Sequence, residues 1–335
     1  MNKKNDDLSV ICEIASAHGG DAAVLREMLS AAHKADADWV KVQIYHFESL
    51  VAGDNEQFSV LKTIELQPSE WTEIVRFSES LQPRLIVEVF DMPSLELIAG
   101  ESAVQAFKIP TADLGNKEFV DAICQLGKPI FIGVGGATFD EIDAIVEQVS
   151  TFPGVRLVLM HGIQSFPTKL EDSLLLKIPL FQQRYGCDIG FADHINAEDK
   201  ELARVLPAMA ISAGATVIEK HLTLDRSEKG FDYYSALNPD EFSDFVVFIR
   251  RISDAMGVVG LLELTDAEME YRNKMKKFAV LSRPVSKGSI LAEAQIEYRR
   301  TSSPGFLRKD IHNFKKKVFN SDYLAGVILN DQNFE

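Results

Sequence analysis

The chain has 335 residues, 46% hydrophobic and 25% charged, which excludes a disordered chain and leaves room for one large barrel or two domains. A formal charge of −15 argues against a nucleic-acid partner, because phosphate is repelled over most of the surface, but permits an anionic small molecule in a locally basic cleft. No run approaches the roughly 20 apolar residues of a membrane span, residues 1–7 lack the apolar core of a signal peptide, and the three cysteines (Cys12, Cys124, Cys187) lie far apart in apolar stretches. Buried free thiols in a cytoplasmic protein fit them better than disulfides or a metal site.

Eight apolar, β-rich segments follow one another: residues 8–17, 37–45, 84–90, 103–110, 129–135, 155–162, 187–193 and 216–223. Amphipathic helical stretches lie between them, as at 21–35, 69–81 and 139–149. Strand and helix alternating eight times predict an α/β fold, a (β/α)8 TIM barrel. The rival is a doubly wound open sheet. Closure is favoured because a polar residue stands at the C-terminal end of nearly every strand, and only a barrel brings all eight ends to one face. A helix over 240–256 completes a barrel domain of residues 1–262. Residues 263–277 read as a charged, helix-prone linker. Residues 278–335 form a small basic domain carrying Arg283, Lys287, Arg299, Arg300, Arg308, Lys309 and Lys315–Lys317, with Lys276 just before it. A basic appendage on an acidic barrel suggests electrostatic docking, within one chain or between subunits.

The strand ends supply the candidate chemistry. The first carries Glu13, then His18-Gly19-Gly20. The second carries Lys41 and Gln43, two apart and so on one face. The third has Glu88 and Asp91, and the fourth Lys108, Thr111 and Asp113. The fifth ends Gly133-Val134-Gly135-Gly136, which is either a phosphate cradle at a helix N-terminus or a tight turn. The sixth offers His161 and Gln164, the seventh Asp193 and His194. The eighth carries Glu219, Lys220 and His221, followed by Asp232. Charges inside apolar strands are costly unless paired or coordinated. Several meeting at one barrel mouth point to a site, with lysines for phosphate or carboxylate and glutamates for protons. A lone histidine is usually a hydrogen-bonded core residue, the reading favoured for His161. His194 and His221, on adjacent strands and each beside a carboxylate, are instead candidates to share one divalent ion.

Together these stretches resemble the sialic acid synthase family. The resemblance rests on Ile11-Cys12-Glu13-Ile14, Val40-Lys41-Val42-Gln43, Phe107-Lys108-Ile109, Gly127-Lys128-Pro129-Ile130, Leu159-Met160-His161 with Phe166-Pro167, and Phe191-Ala192-Asp193-His194. Its most specific stretch is Ile218-Glu219-Lys220-His221-Leu222-Thr223-Leu224-Asp225, followed by Gly230-Phe231-Asp232. Ser282-Arg283-Pro284, Lys287-Gly288 and Arg299-Arg300 are similar to the family's antifreeze-like (SAF) domain. The resemblance implies a metal-dependent condensation of phosphoenolpyruvate (PEP) with an acylated amino sugar, giving a sialic-acid-like sugar acid and phosphate. It also implies a domain-swapped homodimer in which the SAF domain of one subunit caps the other's barrel. His194 and His221 match the ligands of Mn²⁺ or Mg²⁺. Lys41, Gln43, Lys108, Thr111, Gln164, Phe166 and Lys220 fall at substrate-binding positions. Glu13, Asp113 and Asp232 match acidic residues of the site, and Arg300 the SAF arginine that reaches the sugar's acyl group.

Three hydroxyl positions of the family pattern are filled differently, by Glu88, Gly133 and Ala192. Each lost hydrogen bond to a charged group costs roughly 1.5–3 kcal/mol, and Glu88 adds negative charge where an anion should sit. Two alternatives follow: a metal-dependent lyase or aldolase using another donor such as a 2-oxo acid, and a non-catalytic paralogue. Residues 46–65 read as a loop with no recognisable specificity code.

Overall fold

The computed structural model describes residues 8–165, 167–257, 263–292 and 295–335; Phe166, placed by sequence among the substrate-binding residues, lies outside the described residues. Eight parallel strands form a closed barrel: β1 (Ser9–Ala15), β2 (Trp39–Ile44), β3 (Arg84–Val89), β4 (Val104–Ile109), β5 (Ile130–Gly133), β6 (Leu157–His161), β7 (Asp188–Asp193) and β8 (Val217–His221). Pairing of β1 with β8, Glu13 opposite His221, closes the ring and rules out the open sheet. The barrel unit also holds α1 (Ala22–Lys34), α2 (Phe47–Leu50), α3 (Phe58–Ile64), α4 (Pro68–Ser78), α5 (Met92–Ile98), α6 (Lys117–Gln125), α7 (Phe139–Ser150), α8 (Lys177–Tyr185), α9 (Leu202–Ser212) and α10 (Pro239–Met256).

The helices form where the periodicity asks for them. In α1, Leu25, Met28, Leu29 and Ala32 fall on one buried stripe, and the Asp21 carboxylate caps the first turn by accepting from the Ala23 and Val24 amides. Outward-facing strand residues such as Val40, Val87, Phe107 and Ile218 pack against such stripes in the main core. Inward-facing residues form a second core of Ile11, Trp39, Ile86, Ala106, Phe131, Val158, Met160, Ala192 and Val217. This is the filled interior of a barrel rather than a channel.

The β5–α7 turn is built by close backbone approach. A side chain on Gly135 would start 1.8 Å from the Gly162 carbonyl oxygen, so only glycine fits there. The α7 N-terminus is occupied by its own chain: Thr138 accepts from the Glu141 amide, and Glu141 accepts from the Thr138 amide. The glycine cluster is thus a tight turn with its helix cap already satisfied.

The chain divides into two compact units, residues 1–258 and 259–335. The second contains α11 (Asp266–Met275), a two-stranded antiparallel sheet of β9 (Lys277–Leu281) and β10 (Ile296–Arg300), and α12 (Arg308–Phe314). The segment expected as a linker therefore carries a helix, which starts at the Thr265–Glu268 capping box. This unit has its own core of Ala279, Leu281, Leu291, Phe306, Phe319, Leu329 and neighbours. No helix among the described residues is long and apolar enough to cross a membrane.

Candidate active site

One residue pair above the apolar interior, the inward positions become charged. Glu13, Lys41, Glu88, Lys108 and Glu219 come from β1, β2, β3, β4 and β8, each two residues beyond Ile11, Trp39, Ile86, Ala106 and Val217. All five are buried. Lys41 Nζ pairs with Glu13 Oε2, with Glu88 Oε2 at 2.8 Å and with Glu219 Oε1 at 3.2 Å. Lys108 Nζ donates to Glu219 at 2.8 and 3.1 Å and lies 4.0 Å from Glu88 Oε1. Gln43 Nε2 donates to Glu88 Oε2 at 3.0 Å. Burial opposes the charge on Glu88, but Lys108 and Lys41 outweigh it and hold the carboxyl below the usual range. Glu219 is likewise held low by the same two lysines against burial. Burial opposes the charge on Lys108 too, yet Glu219 and Glu88 push its ammonium up.

Over this layer lies a cavity of about 790 Å³. Its floor includes Glu13, Lys41, Gln43, Glu219, His194 and His221, and Asp232 joins from the loop after β8. The two imidazole rings lie 5.2 Å apart between centroids. Burial pushes His194 down to about 4 and His221 well below its ordinary value, so both are neutral near pH 7 with ring nitrogens able to ligate. Among the described residues no group of three or more His, Cys, Asp or Glu is arranged to hold a metal. Two neutral imidazoles on adjacent strand ends at this spacing nevertheless fit two positions of one divalent ion, the others falling to water or substrate oxygens. The His194 carbonyl is pinned by Ser235 Oγ at 2.6 Å and the Thr168 amide at 2.8 Å.

The other expected residues are distributed unevenly. Gln43 and Gln164 line the cavity. Asp232 lines the cavity, and burial raises its carboxyl above its ordinary range. Thr111 and Asp113 sit on a short turn after β4, outside the cavity lining, with the Asp113 carboxyl raised by partial burial. A side chain at Gly133 would start 3.0 Å from Thr111 Oγ1, so the hydroxyl missing at 133 leaves space that Thr111 fills. Lys220 does not join this group. Glu219 and His221 point inward, so Lys220 faces the helices, where its Nζ binds Asp193 at 2.7 Å with both side chains fully buried. His161 also faces outward, bound to the Ser173 carbonyl at 2.9 Å and packed against Phe181 and Phe191. Arg300 is exposed on β10 of the second unit, in register with Lys277.

Sequence reasoning missed one wall of the cavity. Residues 46–65 contain α2 and α3, and from this stretch Leu50, Val51, Val60, Leu61 and Ile64, with Phe90 and Phe231, give an apolar lining beside the charged floor.

Residues 28–260 match the model of the NeuB family. The chain belongs to the NeuB family. It is similar to the N,N'-diacetyllegionaminic acid synthase of Campylobacter jejuni, 25% identical over 338 residues, covering 96% of this chain and 98% of the relative. It is also similar to the pseudaminic acid synthase of the same species, 27% identical over 339 residues, covering 97% and 96%. Among solved structures, the N-acetylneuraminic acid (sialic acid) synthetase of Leptospira borgpetersenii superposes with a TM-score of 0.73 at 27% identity, covering 81% of this chain and 93% of that one. In this NeuB-family chain the barrel carries the residues described above, and Glu88 stands among them.

Proposed function

We propose that this NeuB-family chain condenses PEP with an N-acylated amino sugar aldehyde to give a sialic-acid-like sugar acid and phosphate. The observation that carries the reading is the juxtaposition of two neutral imidazoles and Lys41 at the floor of one large cavity, with Lys108 buried just beneath and bound to the floor residue Glu219. Lys41 and Lys108 would receive the donor's phosphate and carboxylate. A divalent ion, Mn²⁺ or Mg²⁺, held by His194 and His221 would supply Lewis-acid polarisation of the acceptor aldehyde. The donor's enol carbon bonds to the aldehyde carbon, and Asp232, lining the cavity, would pass a proton to the new alkoxide oxygen. Glu13, at the cavity floor, is placed to activate water for addition to the cationic carbon, after which phosphate leaves by C–O cleavage. The apolar wall from α2 and α3 suits the acceptor's acyl methyl groups. The second unit is read as the SAF domain, Arg300 completing the acyl pocket of a partner barrel in a swapped homodimer, and the enzyme as cytoplasmic.

Incubation with PEP, Mn²⁺ and a panel of 2-acetamido sugars tests this. Phosphate release is expected with at least one sugar and should fall by about a hundredfold or more in His194→Ala. No release with any sugar would overturn the reading. Glu88 favours a second reading, a lyase or aldolase taking a 2-oxo acid donor. Thermal stabilisation by pyruvate and not by PEP would support it.

A further inference from the structure

The two lysines assigned to the donor are already engaged. Lys41 and Lys108 bring at most two positive charges, burial pushing the Lys41 ammonium down, and Glu13, Glu88 and Glu219 bring three carboxylates within 4.0 Å of them. This layer is therefore short of positive charge before any anion arrives. PEP would add a phosphate and a carboxylate to the same two ammonium groups. Like charges sharing one buried site cannot all stay ionised.

Of the three carboxylates, Glu88 is the one whose surroundings single it out. It is fully buried and, like Lys108, lies beneath the cavity floor rather than on it, so its charge depends on the two lysines and not on hydration, while a proton can still reach it through the open cavity as the donor enters. The groups facing it are Lys41 and Gln43 from β2, Lys108 from β4 and Glu219 from β8, with Glu13 from β1 competing for Lys41. Its ionised state therefore rests on Lys41 and Lys108. An anion engaging those lysines cancels the field that keeps Glu88 charged, and burial then favours its neutral form. Glu219 keeps its bidentate bond to Lys108, and Glu13 keeps the Ala15 amide at 2.7 Å. Glu13 Oε2 and Glu88 Oε1 both lack a hydrogen-bond partner, but Glu13 Oε2 is in close ion-pair contact with Lys41, whereas Glu88 Oε1 is 4.0 Å from its nearest ammonium, Lys108, and is the natural place for a proton.

We propose that Glu88 takes up one proton as the phosphorylated donor binds, so that Lys41 and Lys108 exchange this carboxylate for the donor's anionic groups, and returns it when phosphate departs. Glu88 acts here through the lysines, as a positioning residue. It makes the donor site proton-linked, tighter toward acid and weaker toward base. The inference rests on PEP as donor, as proposed above.

The test is calorimetric titration of PEP into the full-length protein with Mn²⁺ at fixed excess, between about pH 6 and 8, in buffers of different ionisation enthalpy. Wild type is compared with Glu88→Gln and Glu88→Thr. Ionisation of PEP itself is common to all three and cancels in the difference. Wild type is expected to take up about one proton more than either variant. The affinity advantage of the variants should grow by about tenfold per pH unit. Should Glu88→Gln not fold, Glu88→Thr supplies the comparison, and near pH 8, about two units above a phosphate's second ionisation, absence of proton uptake by wild type also overturns the proposal. PEP binding with equal proton numbers in wild type and variants overturns this inference and leaves the donor reading standing. PEP binding to none of the three overturns both.

Discussion

Lys41 touches three carboxylates at the cavity floor, whereas Lys220, buried against the helices, touches one. Removing one member of a buried pair leaves an uncompensated charge and costs about 3–5 kcal/mol, but replacing both members with apolar groups is often neutral or stabilising. Lys220→Met alone should therefore destabilise by about 3–5 kcal/mol, and the double variant Lys220→Met/Asp193→Leu should recover most of that loss in urea unfolding. A single variant as stable as wild type would contradict the pairing. The contrast also marks what the sequence made legible. Glu13, Lys41, Lys108, His194 and His221 stood out because charge and imidazole at strand ends are costly without a task. Lys220 stood out for the same reason, but its outward direction was equally present: Glu219 and His221 occupy the alternate positions of one strand, so the residue between them faces the helices. What no pattern gave was the mutual neutralisation of the layer, because it depends on five strands meeting at one depth.

At the level of elements, the loop between β8 and α10 delivers Phe231 and Asp232 to the cavity, and one ion pair fastens it. Arg226 donates to Glu241 at 2.5 and 3.1 Å and to the Ala236 carbonyl at 3.1 Å, tying the start of the loop to the first turn of α10. The bond from Arg226 holds the Glu241 carboxyl at about 2, below its ordinary value near 4.3. A depressed carboxylate contributes stability that is present above its unfolded value and lost as pH falls through its folded one. Glu241→Gln should thus cost on the order of 1–3 kcal/mol at pH 7, with the partial exposure of the pair favouring the lower end. The difference from wild type should shrink between about pH 4 and 2. Urea unfolding of both proteins across that range checks it, and a difference independent of pH would mean the ion pair is not its source. All eight strands were legible as apolar runs bounded by turn residues, and α1, α4, α7 and α10 as periodic stripes. The helices α2 and α3 were not. At four and seven residues they are too short to show a period, and they hold their place through contacts such as Phe47 against Phe58, 5.1 Å between centroids.

For the whole molecule, the division into two units with separate cores raises the question of which barrel the second unit serves. The barrel floor holds the imidazoles, while Arg300 belongs to the other unit. If the SAF reading holds and the unit acts on a partner's barrel, each site draws His194 from one chain and Arg300 from another. His194→Ala and Arg300→Ala subunits, each nearly inactive alone, would then complement each other when co-assembled. In a one-to-one mixture, half of the dimers are mixed, and each mixed dimer has one site with both residues intact. About a quarter of wild-type activity should return. An arginine acting on its own chain's barrel gives no intact site in any dimer, because every barrel then lacks one residue or the other. The same mixture therefore separates the two arrangements by activity alone, and sedimentation of the wild-type chain as a monomer would remove the swapped one independently.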